Sequence, residues 1–143
     1  MKTKPNKTTF LNIKEKQEEW HLVDATNRIL GDVAVEISEI LIGKNKASYT
    51  PNHNWGDKVV IINSEKIKVT GNKLKDKKYY HYTGYPGGLK TESLESLLSR
   101  RPNEVLRKAI SGMLPKNKLR KKRLANLFIY TGEKHPHQAQ LTK

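Results

Sequence analysis

The chain has 143 residues, 35% of them hydrophobic, which suits a single domain with a modest core under a charged exterior. Zero cysteines exclude disulfides, zinc ribbons and thiol chemistry, and no run approaches the roughly 20 apolar residues that cross a bilayer. Twenty-eight Lys and Arg against fourteen Asp and Glu leave a formal charge of +14, so the natural complement is a polyanion.

That charge is concentrated. From Arg100 to Leu124 there are ten basic residues and one acid, Glu104, a net +9. From His21 to Ser99 there are eleven basic and nine acidic residues, so the middle is close to neutral. Clustered cations of this kind are the electrostatic footprint of a polyphosphate ligand.

In chain order, residues 1–19 are polar and lysine-rich and read as an extended arm; they lack the apolar core of a signal peptide. Trp20–Ala25 suits a buried first strand. Leu30, Val33, Ala34, Ile37 and Leu41 form one apolar helical stripe, and Gly43 is placed to end that helix in the left-handed conformation. Lys44 and Lys46 follow, within reach of a phosphate. Val59–Ile62 is apolar without alternation, the pattern of a strand covered on both faces, so strand, helix and strand predict a right-handed parallel βαβ unit. The Ile67–Val69 stretch fits a short strand or a single helical turn. Tyr79–Tyr82 reads as a third strand by aromatic enrichment.

Thr83–Gly88 is a loop its glycines permit. Thr91 is a candidate cap for a helix carrying Leu94, Leu97 and Leu98, and Pro102 suits the first turn of the next. That next helix presents Val105, Leu106, Ala109, Ile110, Met113 and Leu114 on one side, with Pro115 stopping it. Asn117 is a candidate cap for a further, very basic helix, and Leu127–Tyr130 reads as a last strand. Residues 133–143 are polar and expected to be extended, leaving 20–132 as one folded unit.

Gly112–Leu119, Tyr130-Thr131-Gly132 and His135–Gln140 together resemble the signature of the large-subunit ribosomal protein thirteen family. Trp20…Ala25, Tyr49–Asn52, Gly56…Asn63 and Thr83–Gly88 extend the resemblance, in order, over nearly the whole chain. It implies an α/β/α sandwich around a four-stranded, mainly parallel sheet. It also implies a structural constituent of the large ribosomal subunit that binds its rRNA, supports early assembly and catalyses nothing. The implied place is the cytoplasmic ribosome, and the implied partners are large-subunit rRNA and neighbouring ribosomal proteins. No membrane, cofactor, small-molecule substrate or homo-oligomer is expected. Where the family usually has Gly after Lys-Asn-Lys-Leu, this chain has Arg120.

The candidate rRNA-binding residues follow from the charge block, the loop and the resemblance. They are Arg100, Arg101, Lys116, Asn117 and Lys118, the run Arg120, Lys121, Lys122 and Arg123, and Lys44 and Lys46. Tyr82, Gly84, Tyr85, Gly87 and Gly88 join them, because glycine lets backbone approach phosphate and tyrosine stacks on bases. Charge runs are commonly solvated helix faces. Four successive cations, however, cover every side of a helix, which favours a phosphate partner. His135 and His137 are read as polar contacts to rRNA or to the protein's own surface; two imidazoles without further ligands are an incomplete zinc set, so no metal is expected. An RNA-processing enzyme or free-standing RNA-binding factor on a similar fold is the competing reading. An enzyme would need a polar constellation at the carboxyl ends of the strands, where only Asp24, Asn63 and Ser64 qualify.

Overall fold

The computed structural model describes residues 18–141, so positions 1–17 of the arm expected at 1–19 lie outside the described residues. Three parallel strands form the main sheet: β1 (Trp20–Asp24), β2 (Lys58–Ile62) and β5 (Leu127–Ile129), with β2 in the middle. Val59, Val60 and Ile61 are fully buried, as their unbroken apolar run predicts, while Ile62 is half-buried. β1 is an edge strand with Val23 buried and Leu22 exposed, not the buried strand its composition suggests.

Helix α1 (Leu30–Ile42) links β1 to β2 and buries the expected stripe of Leu30, Val33, Ala34, Ile37 and Leu41. Its first amide has no side-chain cap. Instead the Leu30 N–H donates to the Lys68 carbonyl at 2.9 Å, and Lys68 N–H returns a bond to Arg28. The ambiguous Ile67–Val69 stretch therefore follows a single 3-10 turn (Ser64–Lys66) and makes an isolated parallel bridge to Ile29. Gly43 ends α1 at φ 79°, in the left-handed region. Gly56 lies so close to α1 that a Cβ would stand 1.8 Å from the Leu41 carbonyl oxygen, so only glycine lets this loop cross the helix end.

The remaining elements are α2 (Lys73–Asp76), β3 (Lys78–Tyr82), β4 (Leu89–Ser93), α3 (Leu94–Arg100), α4 (Pro102–Met113), α5 (Leu119–Ala125) and α6 (Gln138–Leu141). Helices α1 and α4 pack together, and their buried side chains join Val59, Ile61, Val23 and Leu127 in one core. Pro102 opens α4, and Leu114 is buried just beyond its end.

Four expectations are corrected. The strand at Tyr79–Tyr82 does not join the main sheet; it pairs antiparallel with β4 in a separate two-stranded sheet, so the main sheet has three strands. Lys78 and His81 within β3 would be costly between two covering layers, and the six-residue loop to β4 favours a hairpin. The second helical layer of a sandwich is also not found among the described residues. The face bearing Trp20, Val60 and Phe128 is met by the C-terminal segment, with α6 against β1. Residues 133–141 thus fold back through turns and α6 rather than running extended. Finally, the caps differ. Ser93 caps α3 by accepting from the Ser96 N–H, while Thr91 lies within β4; Asn117 gives its carbonyl to the Arg120 N–H but no side-chain cap to α5.

Candidate nucleic-acid interface

Helix periodicity sorts the basic run of α5. Lys121 and Lys122 are exposed, Arg120 is half-buried, and Arg123 is 1% exposed because it shares an inward face with Leu119 four residues earlier. The Arg120 guanidinium donates to the Ser111 carbonyl at the end of α4. The Arg123 guanidinium has no hydrogen-bond or ion-pair partner among the described residues, and its Nε is buried without an acceptor. Burial pulls its pKa below the usual arginine value, partly opposed by Tyr49. The expectation of a helix cationic on every side is corrected: one of its four cations is a core residue and another is tied to backbone.

Other candidate cations are also occupied. Arg100 grips Glu92 with two bonds of 2.7 and 2.8 Å. Arg101 lies 3.7 Å from Glu104, which Lys108 holds more tightly at 3.0 Å; the Lys108 bond, with both positive charges, keeps the Glu104 carboxyl below its usual pKa. Lys46 pairs with buried Asp57, which also accepts from the Glu19 backbone N–H and contacts His21 Nε2, both at 3.1 Å. Glu19, His21 and Asp57 have ligand atoms close enough for a cation. The Lys46 ammonium already supplies positive charge to that carboxylate. What remains exposed and without a carboxylate partner among the described residues is Lys44, Lys116, Lys118, Lys121 and Lys122. Asn117 is exposed beside them.

The glycine loop closes the β3–β4 hairpin. The Thr83 N–H donates to Gly88 O at 3.1 Å, and the Gly88 N–H to Tyr85 O at 2.9 Å. Gly84 and Gly87 hold φ of 91° and 71°, while a Cβ on Gly88 would stand 2.8 Å from the Tyr85 carbonyl oxygen. Tyr82 and Tyr85 project to solvent beside this ring of backbone. Tyr80, two residues before Tyr82, is equally open. Sequence reasoning passed over it, although strand alternation places the two on one face.

His135 and His137 make contacts to the protein's own surface, one of the two readings their sequence allowed. His137 lies over Phe128 and Trp20, with ring centroids 4.5 and 5.1 Å away, and its Nε2 is 2.9 Å from the Tyr130 hydroxyl. His135 Nδ1 accepts from the His137 backbone N–H at 3.3 Å. Both are half-buried and brace the C-terminal segment on the sheet.

The strand-end trio is likewise structural. One Asp24 oxygen accepts from the Thr26 N–H and hydroxyl and from Asn63 Nδ2 at 2.7–3.0 Å, and these bonds hold its carboxyl below the usual value. Ser64 Oγ bonds Asn103 at 2.5 Å. With Asp24 tied to Thr26 and Asn63, and Ser64 tied to Asn103, the trio offers no nucleophile with a free base.

These features define a strongly cationic α/β protein whose polar side chains at the strand ends serve the fold. The chain belongs to the ribosomal protein L13 family, whose pattern it matches over residues 18–136. It is 52% identical over 134 residues to large ribosomal subunit protein uL13 of Treponema pallidum, covering 94% of each chain. The uL13 of Geobacter sulfurreducens is 50% identical over 138 residues, 96% of each chain. That of Spiroplasma citri is 48% identical over 133 residues, 93% of this chain and 91% of the relative. Membership gives the chain a structural, non-enzymatic role in the ribosome. No helix among the described residues is long and apolar enough to cross a membrane.

Proposed function

We propose that this protein binds large-subunit rRNA through the lysines around α5 and the glycine loop of the β3–β4 hairpin, next to neighbouring ribosomal proteins. In that position it supports early assembly of the subunit in the cytoplasm. The observation that carries the reading is a division among the candidate cations: Lys46, Arg100 and Arg101 face carboxylates, whereas Lys44, Lys116, Lys118, Lys121 and Lys122 have none among the described residues. Unpaired, exposed cations in one stretch repel one another, and phosphates relieve that repulsion while releasing counterions. Binding of this kind rests on backbone, 2′-hydroxyl and shape contacts more than on base edges.

The test replaces Lys118, Lys121 and Lys122 with Gln and measures affinity for an rRNA fragment across salt concentrations. Each lost phosphate contact removes about 0.7–0.9 from the slope of log K against log salt, so three remove about 2.1–2.7. The fold is expected to persist, because all three side chains point to solvent. An unchanged slope in a folded variant would show that this is only a solvated face.

A further inference from the structure

The β3–β4 hairpin has two faces of opposite character. In its register Tyr80 stands opposite Thr91 and Tyr82 opposite Leu89, so one face presents Lys78, Tyr80, Tyr82, Leu89 and Thr91. Tyr80, Tyr82 and Leu89 are 66%, 60% and 59% exposed. The other face carries Tyr79, which packs on the core with Lys108 4.9 Å from its ring centre. The hairpin is therefore anchored on one side and shows solvent two aromatic rings and a leucine on the other. Large apolar groups gathered in the open call for an occupant.

Charge narrows the choice of occupant. Between Lys73 and Lys90 there are five lysines and one acid, Asp76, and the exposed face carries Lys78 and no carboxylate. A hydrophobic partner protein needs no such excess of cations, whereas a nucleic acid does. A regular RNA duplex hides its bases in the stack and offers rings nothing to lie on. Unpaired nucleotides offer both phosphates and free base faces, and sheets that recognise them place aromatic rings on exposed strand positions.

We propose that the Tyr80–Tyr82–Leu89 face is a stacking platform for unpaired nucleotides of RNA, with Lys78 and the neighbouring lysines holding the phosphates. This rests on the reading that the chain binds rRNA and specifies which form of RNA the hairpin takes. The glycine loop at its tip lets the strand backbone turn within reach of the same nucleotides.

The test uses the full chain with two probes: an unstructured single-stranded RNA dodecamer and a duplex RNA of the same length. In the double variant Tyr80→Thr/Tyr82→Thr, threonine keeps strand propensity and removes the rings. Affinity for the single strand should fall by about 5- to 150-fold, the equivalent of one stacked base, with the duplex essentially unaffected. Tyr80→Phe/Tyr82→Phe should retain binding, and the salt slope should be the same in all three proteins. Should the threonine variant unfold, ultraviolet crosslinking of the wild-type chain to the single strand supplies the answer, with the crosslinked peptide expected to contain Tyr80 or Tyr82. A folded threonine variant that binds the single strand like wild type overturns the platform, as does equal loss for both probes, loss in the phenylalanine variant, or crosslinks confined elsewhere. A wild-type chain without salt-dependent affinity for either RNA sinks the rRNA reading itself. Normal salt-dependent binding with unaffected tyrosine variants sinks only the platform.

Discussion

Arg123 stands where a helix packed on a core usually places leucine. Its guanidinium is out of water with no acceptor for Nε and no carboxylate among the described residues, and removing a charge from water without compensation is costly. Its long stem fills space that a methionine fills nearly as well. Arg123→Met should therefore stabilise the free protein, by about 1–4 kcal/mol on the scale seen when buried ionic groups give way to apolar side chains of similar size. Urea unfolding measures it. A loss of stability instead would reveal a partner for the guanidinium. The same variant should leave the salt slope of RNA binding unchanged, because a core residue does not touch phosphate.

At the scale of elements, β2 is the strand on which the others depend: it pairs with both β1 and β5, and Ile61 is fully buried in the core with α1 and α4. Ile61→Ala should cost about 2–5 kcal/mol through the cavity it leaves. A denaturant midpoint close to wild type would mean that the site collapses around the smaller side chain. This strand and α1 were legible because their signals are local: an unbroken β-branched run, and apolar residues at helical spacing closed by Gly43. The β3–β4 pairing was not legible to the same degree. Tyr79–Tyr82 announces a strand, but nothing in those residues says which neighbour it takes, and Leu89–Ser93 has only one apolar residue to mark it. The α5 surface was half legible. Adjacent cations look alike in sequence, whereas the four-residue interval from Leu119 to Arg123 was the available sign that one of them turns inward. His137 could not be placed at all, since its aromatic partners Trp20 and Phe128 are brought to it only by tertiary folding.

Over the whole molecule, a charge of +14 acts on the free protein and on its complex in opposite directions. The free chain carries its lysines of α5 and of the hairpin without a counter-charge, and this self-repulsion weakens the compact state. Added monovalent salt shortens the Debye length from about 14 Å at 50 mM to about 6 Å at 300 mM and screens that repulsion. The exposed ion pairs, Arg100 with Glu92 and Lys108 with Glu104, are screened as well, but each such pair contributes little. The melting temperature of the free protein should therefore rise over this range, while affinity for RNA falls because counterion release becomes less favourable. The Lys118→Gln/Lys121→Gln/Lys122→Gln variant should show both dependences reduced, with a higher melting temperature than wild type at 50 mM. Thermal unfolding of both proteins along one salt series decides it. A melting temperature that falls with salt in the wild-type chain would mean that its ion pairs, centred on buried Asp57, outweigh the repulsion among unpaired lysines.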